Sequence, residues 1–436
     1  MTKLTIQQLI SKKRLKKELT NEEIEFWIKG VAKNEFQDYE LAALLMAITI
    51  NGMTEAETTK LTIEMANSGK MMDLSKIEGI KADKHSTGGI SDTTTIALVP
   101  ILADLGLKMV KMSGRSLGFT GGTIDKLEAI DGFNTEISEK KFIDGVKKVG
   151  ASIMAQTQDV AVADKKLYAL RDVTDTVQSI PLIASSIMSK KLASGADIIL
   201  LDVKFGEGAF MKTAKDATTL AKAMVKIGKN AGRKMCAIIT SMEQPLGNGI
   251  GCTLEIRDAV EVLNGAQNRL SEVVIAICVE ILKLAYGYSD AVAKEKVLNS
   301  ISSGSALNKL KEIVKNQDGN EEIISDLSLL KKAAHTKVLK AENNGKIVAI
   351  NGEMLGEACK LLGGGRIKKG EPILHEVGID MKVALNDDVT TDTDLVNIHY
   401  NDKKNLDEII KMIYGAFTIS STKKSVKTKL INKIVR

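Results

Sequence analysis

From Ile80 onward the chain settles into a repeating order of short apolar or β-branched run, glycine-rich turn and helix, and that order restricts the fold more than any other feature. Residues 108–112, 151–155, 196–203 and 235–241 read as strands, and 96–105 and 218–231 as helices between them. Strands that alternate with helices are best satisfied by an α/β sheet covered on both faces. Parallel sheets of this kind offer ligand sites at the carboxyl ends of their strands, which is where the glycine-rich turns fall.

The flanking segments follow different rules. Up to residue 72 the pattern is helical. Thr20 and Glu23 form a capping box ahead of Ile24, Ile28 and Val31, Thr54 and Glu57 repeat it ahead of Leu61 and Met65, and Leu41, Leu44, Leu45 and Ile48 mark one helix face. Residues 164–192 are again helical, interrupted at Pro181. A helical insertion inside an α/β domain would join the first helices as one lobe. After about residue 333 short strands, for example 345–350 and 392–399, are separated by Gly and Asp turns. A chain of 436 residues exceeds what one core organises. The expected architecture is therefore a small discontinuous helical lobe (1–72 and 163–194), a large α/β lobe with a central sheet (73–162 and 195–332), and a C-terminal β-rich, barrel-sandwich-like domain (333–436). The cleft between the lobes is the expected active site.

Composition removes several classes of function. Trp27 is the one tryptophan and the net charge is only +6, so stacked or polyanionic nucleic acid is not an expected partner. Basic residues cluster in the tail (Lys423, Lys424, Lys427, Lys429, Lys433, Arg436), which reads as a solvated, partly frayed end. The longest apolar run, 41–50, is too short to span a bilayer, and the N-terminus lacks a signal core; no membrane is implied. Cys236, Cys252, Cys278 and Cys359 lie far apart, as expected of reduced thiols in a cytoplasmic protein. His335, His375 and His399 show no metal-ligand spacing. Asp380-Met381-Lys382-Val383 is similar to the modified lysine motif of biotinyl domains, but the next turn follows too soon for a hairpin tip, and a structural likeness without modification is expected.

Chemistry concentrates in two segments, Lys84-His85-Ser86-Thr87-Gly88-Gly89 and Ser113-Gly114-Arg115-Ser116-Leu117-Gly118-Phe119-Thr120-Gly121-Gly122-Thr123-Ile124-Asp125-Lys126. Glycines let backbone N–H groups approach an anion closely, while Ser, Thr and Lys add donors and charge. Neither segment is a Walker loop, and each alone is a weak signal. Two such loops facing each other could enclose a tetrahedral dianion.

Together, and with Asp125-Lys126-Leu127-Glu128 continuing the second, these segments resemble the signature of the thymidine and pyrimidine nucleoside phosphorylases. Tyr168-Ala169-Leu170-Arg171-Asp172 and residues 186–191 resemble that family's base-recognition helices, and the similarity extends over nearly the whole chain. The resemblance implies a pentosyltransferase that uses inorganic phosphate to split pyrimidine nucleosides, and a homodimer formed through the helical lobe. It implies that His85, Arg171, Ser186 and Lys190 act on the base. His85 would protonate or hydrogen-bond it near neutral pH, Arg171 and Lys190 would bring charge to its carbonyls, and Ser186 would donate to its edge. It places phosphate on Lys84, Ser86, Thr95, Ser113 and Thr123, with Lys111 and Met112 contributing backbone or flank. Tyr168, Val177, Ile183 and Phe210 become apolar walls around the base. No organic cofactor is expected. Some members carry a potassium ion near the phosphate loop, and the matching positions are Ser91, Thr93, Leu246, Gly249 and Asp258.

This sequence departs from the family pattern at several points. Ser91 replaces a usual glycine and Asp258 a usual glutamate, altering the reach of the ion site. Ser116 and Phe119 stand where Gly or Ala and often His occur, which bears on substrate preference. Lys111 before Met112-Ser113 resembles the broad pyrimidine enzymes rather than the strict thymidine enzymes. The alternative activities are a strict thymidine phosphorylase and, after it, an anthranilate-type phosphoribosyltransferase, which would need clustered acidic ligands for Mg²⁺-pyrophosphate. Asp202-Val203-Lys204 puts a cation in that neighbourhood instead. A nucleoside-binding protein without turnover should have lost His85, Arg171 or Lys190, and all three are present.

Overall fold

The computed structural model describes residues 4–115, 121–368, 370–422 and 425–436. Ser116, Phe119 and the rest of 116–120, together with Lys423 and Lys424 of the tail, lie outside the described residues.

Five parallel strands form the centre of the molecule: β1 (Lys81–Ser86), β2 (Lys108–Ser113), β3 (Ala151–Ala155), β4 (Ile198–Phe205) and β5 (Lys234–Ser241), in the spatial order β5-β4-β1-β2-β3. Side chains of a strand alternate between faces, and this sorts the apolar runs into two cores. Ile198 and Leu200 of β4 join one core, whereas Ile199, Leu201 and Val203 join the other. The sheet is thus covered on both faces as expected, with one difference at its centre. β1 was not legible as a strand because its sequence, Lys-Ala-Asp-Lys-His-Ser, is mostly polar; it is held between β2 and β4 by parallel pairing all the same.

The small lobe is built from α1 (Ile6–Arg14), α2 (Asn21–Ala32), α3 (Asp38–Asn51) and α4 (Glu55–Asn67). Both anticipated capping boxes are formed, Thr20 with Glu23 and Thr54 with Glu57. In the α/β part follow α5 (Thr94–Asp104), α6 (Thr123–Leu127) and α7 (Glu139–Val149), and then α8 (Val162–Val173) and α9 (Ile180–Ala193). Pro181 does not interrupt a helix but starts one, in the first turn of α9 where its missing N–H costs nothing. Leu167 of α8 and Leu182 of α9 pack in the small lobe's core with Trp27 and Leu61, while Ile183, Met188 and Leu192 of α9 pack on the sheet. α9 therefore belongs to both lobes, and the residues on it face the gap between them.

Helices α10 (Ala214–Asn230), α11 (Cys252–Leu263), α12 (Arg269–Tyr286), α13 (Asp290–Ser302) and α14 (Ser305–Asn316) complete the α/β part. Two small antiparallel sheets follow. One orders β6 (Gly249–Ile250) with β9 (Gly378–Met381), β11 (Asp394–Tyr400) and β7 (His335–Lys340); the other orders β10 (Asp388–Val389), β8 (Gly345–Ile350) and β12 (Phe417–Ser420). Lys382 follows β9 directly and pairs with Asp380 at 2.7 Å.

The tail differs from the frayed end that its charge suggested. Ile431–Val435 forms β13, which leaves the C-terminal sheets and adds antiparallel to β5 at the edge of the main sheet. Arg436 anchors it by donating three hydrogen bonds of 2.7–3.2 Å to the buried carboxylate of Glu280. All four cysteines are free and buried. Among the described residues no helix is long and apolar enough to cross a membrane.

Candidate active site between the lobes

A cleft of about 530 Å³ opens at the carboxyl ends of β1 and β2, with α8 and α9 opposite. That volume suits a small-molecule ligand such as a nucleoside with an anion.

One end of the cleft is an oxyanion cradle. Ser86 ends β1, Ser113 ends β2, Thr95 lies in the first turn of α5 and Thr123 opens α6; all four line the cleft with Gly88, Gly89, Gly121 and Gly122. Gly88 has φ +92°, and its N–H donates to Ser86 Oγ at 3.1 Å, so the turn tightens around the serine. Lys111 and Met112 line the same end.

Lys84 is placed differently from the expected phosphate ligand. Its side chain is fully buried and is absent from the cleft wall, because strand alternation turns it to the opposite face from His85. There its ammonium lies 3.2 Å from Asp202 and also donates to Thr94. Lys204, equally buried, pairs with the same Asp202 at 2.9 Å. Asp92 completes this layer and accepts from Ser86 Oγ at 2.5 Å. Burial alone would raise the Asp92 carboxyl, but Lys204, Lys84 and Lys126 around it hold it well below the usual range. The cradle thus rests on a neutralised bed of charge.

A second buried cluster lies on the other face of β1. Asp83 is 2.8 Å from Lys191 Nζ and 3.3 Å from Lys111 Nζ. Burial opposes its charge, yet these two lysines keep the carboxyl below its ordinary value. Lys111 itself is pulled down to about 7, chiefly by burial, with Asp83 opposing and Lys191 and Lys84 adding to the fall. Lys191, which the sequence did not single out, also lines the cleft and donates to Met112 O at 3.1 Å.

His85 stands beside this cluster at the mouth of the cradle. Burial first, then Lys191, Lys111, Lys84 and Lys190, hold its pKa well below 6.5, so the ring is neutral at pH 7. Among the described residues its buried Nε2 has no hydrogen-bond partner. Burial and the surrounding lysines thus disfavour the cationic ring, and a neutral ring can still hydrogen-bond a ligand.

The opposite end carries the residues that the resemblance assigned to the base. Asp164, Tyr168 and Arg171 are spaced i, i+4, i+7 on α8 and so share one face. Arg171 donates to three backbone carbonyls, Thr176 (3.2 Å), Leu182 (3.1 Å) and Val177 (2.7 Å), clamping the turn between α8 and α9. A guanidinium has five N–H groups, so two remain beyond these three bonds on a side chain that lines the cleft. Its guanidinium lies 5.9 Å from the Tyr168 ring centre. Tyr168, Val177, Ile183 and Phe210 all line the cleft, as expected of apolar walls.

Ser186 and Lys190 are i, i+4 on α9 and both reach Asp164, a residue that sequence reasoning missed although it shares its helix face with Tyr168 and Arg171. Ser186 Oγ donates to Asp164 Oδ2 at 3.0 Å, Lys190 Nζ lies 2.6 Å from the same oxygen, and Lys190 also donates to Ser186 Oγ at 3.1 Å. A carboxylate only accepts, so the single hydroxyl proton of Ser186 points to Asp164. Ser186, for which the resemblance implied a donor role, also lines the cleft.

The five positions matched to a potassium site lie outside the cleft wall, under the Gly88-Gly89 turn. Ser91 Oγ donates to Gly249 O at 2.6 Å, and Gly249 N donates to Asp258 Oδ2 at 2.7 Å. A Cβ on Gly247 would come within 2.5 Å of Asp258 Oδ2 and 2.6 Å of Ser91 Oγ, so that glycine preserves the space where these oxygens converge. Leu246 is fixed beside them through its N–H to Ile90 O. Thr93 does not converge with the others: its hydroxyl donates to Glu255 at 3.0 Å. An all-oxygen set with one carboxylate fits a hard monovalent cation through Ser91, Gly249 and Asp258.

Among the described residues no group of three or more His, Cys, Asp or Glu side chains is placed to hold a metal ion. The acidic candidate for a Mg²⁺-pyrophosphate site, Asp202, is fully buried between Lys84 and Lys204.

Comparison with known proteins agrees with this layout. Residues 7–69 match the helical bundle domain of a glycosyl transferase family, 78–307 match that family's a/b domain, and 346–420 match the pyrimidine nucleoside phosphorylase C-terminal domain. The chain is 47% identical over 429 residues to a pyrimidine-nucleoside phosphorylase of Staphylococcus epidermidis (strain ATCC 12228 / FDA PCI 1200), and 46% identical over 430 residues to that of Bacillus subtilis (strain 168). Each match covers 98% of both chains. Among solved structures, an anthranilate phosphoribosyltransferase from Thermus thermophilus superposes with a TM-score of 0.59 at 16% identity, covering 71% of this chain and 99% of that one, which is a likeness of fold. With all three segments and nearly the whole length accounted for, the chain belongs to the pyrimidine-nucleoside phosphorylase family of glycosyl transferases.

Proposed function

We propose that this enzyme catalyses the reversible phosphorolysis of uridine, thymidine and deoxyuridine to the free base and ribose or deoxyribose 1-phosphate. The observation that carries the reading is the two-ended cleft, a hydroxyl- and amide-lined cradle facing Arg171, Ser186 and Lys190 across one cavity. A phosphate oxygen attacks C1′, the bond from C1′ to the base N1 breaks and its electron pair leaves with the base, which is then protonated at N1 by the proton that hydrogen phosphate gives up on becoming the ester dianion. Thr95, Ser113 and Thr123 hold the phosphate through their hydroxyls, with Ser86, whose own hydroxyl proton goes to Asp92, at its edge and Lys111 and Met112 at its flank; Lys84, paired with Asp202, supports the cradle from beneath. Negative charge on the departing base spreads to its carbonyl oxygens, where fixed donors from Arg171, Lys190 and neutral His85 stabilise it. Tyr168, Val177, Ile183 and Phe210 exclude water around the ring. The broad pentose range rests on Lys111. In the test, initial rates with uridine, thymidine and deoxyuridine plus phosphate are compared with consumption of anthranilate plus phosphoribosyl pyrophosphate. Turnover of all three nucleosides and none of anthranilate is expected; the converse defeats the assignment.

Three further features belong to the same proposal. Potassium is held by Ser91, Gly249 and Asp258, with Leu246 and Thr93 supplying backbone support, and it stiffens the loop that carries Gly88; replacement of potassium by sodium should lower the melting temperature, and no change would remove it. The protein acts in the cytoplasm as a homodimer through the small lobe, supported by its free buried thiols and by Tyr39, Met46 and Ile50, which line an exposed apolar face of α3. Sedimentation at a mass of one chain would contradict the dimer. Closure of the lobes is supported by the adjacent linkers, where Met72 N–H donates to Ala193 O and Lys70 N–H to Asp159 O, and Gly195 has φ +81°. Small-angle scattering unchanged by phosphate and nucleoside would contradict it.

A further inference from the structure

Asp164 is buried behind the base-recognition wall and does not line the cleft, yet it organises two residues that do. Its Oδ2 takes the Ser186 hydroxyl proton and the Lys190 ammonium together, at 3.0 and 2.6 Å. Ser186 has one proton and two lone pairs. The proton is committed to Asp164 and one lone pair to Lys190, so the remaining lone pair makes Ser186 an acceptor towards the cleft. Lys190 has three N–H groups, two of them held by Asp164 and Ser186, leaving one donor. Arg171 has N–H groups left beyond its three carbonyl bonds.

The recognition wall therefore offers two donors, Lys190 and Arg171, and one acceptor, Ser186. Uracil and thymine present the complement along one edge, with two carbonyl oxygens flanking an N3–H. Cytosine presents an amino donor, a bare N3 acceptor and one carbonyl; its N3 would meet the Ser186 lone pair and its amino group an ammonium. We propose that Asp164 is a specificity-determining positioning residue: by fixing the direction of the Ser186 hydroxyl it restricts the enzyme to pyrimidines that carry an N3–H imide. This inference rests on the phosphorolysis reading above. Its physical basis is that a buried acceptor facing another acceptor goes unpaired, a mismatch that hydrogen-bonding sites reject strongly.

The test compares kcat/KM for uridine and cytidine in the wild type, Asp164→Asn and Asp164→Ala, all with saturating phosphate. The wild type should prefer uridine by at least about 10³-fold. Asp164→Asn keeps an acceptor, because the Lys190 ammonium beside the shared position draws the amide oxygen there and not the NH2, so it is the conservative control; Asp164→Ala leaves the hydroxyl free to rotate. In Asp164→Ala the uridine-to-cytidine ratio should fall by at least about 10-fold, beyond any loss of overall rate, and Asp164→Asn should restore most of it. A purely structural role would lower kcat/KM for both nucleosides together, and an unchanged ratio in Asp164→Ala overturns the proposal. Should Asp164→Ala not fold, as judged by circular dichroism, binding of uracil and cytosine to the wild type decides. Uracil should bind at least about 10-fold more tightly, and equal binding overturns the proposal. A wild type that never releases uracil defeats the phosphorolysis reading itself, an outcome separate from an active enzyme whose ratio does not move.

Discussion

Replacing His85 by asparagine and by alanine distinguishes a neutral hydrogen-bond donor from an acid that must carry charge. The ring lies in the field of Lys191, Lys111, Lys84 and Lys190, and burial together with these cations keeps its pKa well below 6.5. Its unpartnered Nε2 gives it a group with which to meet a ligand. A preorganised neutral donor of this kind contributes about 10²–10³ in rate, or about 2.7–4 kcal/mol. Proton transfer would contribute about 10²–10⁴, so the loss in His85→Ala alone does not separate the two. His85→Asn does, because an amide N–H can still donate but cannot deliver a proton; it should keep at least about a tenth of wild-type kcat/KM, while His85→Ala falls by about 10²–10³. The assay is kcat/KM for uridine between about pH 6 and 8, dividing the wild-type profile by that of His85→Asn to cancel the ionisation of phosphate and of Lys111. The ratio should be flat. A ratio that drops tenfold per pH unit above about 6.5 would show that the imidazolium is needed and would refute the reasoning. The same depressed pKa affects stability. The unfolded chain binds the His85 proton more readily than the folded one, so this contribution is present above about 6.5 and is lost as pH falls from there towards the folded value.

Asp83→Asn should destabilise the protein by about 3–5 kcal/mol in urea denaturation, because Lys111 and Lys191 would remain buried without their carboxylate; a loss below about 1 kcal/mol would contradict that account. Deleting residues 431–436 should lower the melting temperature and cause association seen by light scattering, since it strips β13 from the edge of β5 and the arginine from Glu280; an unchanged, monodisperse protein would contradict it.

What could be read in the sequence was whatever depends on local chemistry. The capping boxes at Thr20 and Thr54, the apolar strands β3 and β5, and the loops ending in Gly89 and Gly122 each carry their reason within a few residues. Arg171 and Lys190 came with the family resemblance, and their places in one cleft follow from α8 and α9 packing side by side. What could not be read depends on partners distant in the chain. β1 looks polar because Asp83 meets Lys191, and Lys84 meets Asp202, more than a hundred residues away. The same alternation that directs His85 into the cleft takes Lys84 out of it. The direction of the Ser186 hydroxyl needed Asp164, 22 residues earlier, and the tail's charge concealed a strand because β5 supplies its hydrogen bonds.

The central claim is that phosphate, held in the cradle, is the nucleophile at C1′. Following the enzyme with uridine by ³¹P NMR tests it most directly. Ribose 1-phosphate should form mole for mole with uracil, and neither should form when phosphate is withheld. Uracil and free ribose appearing without phosphate would mean that water attacks instead, and the account would fail.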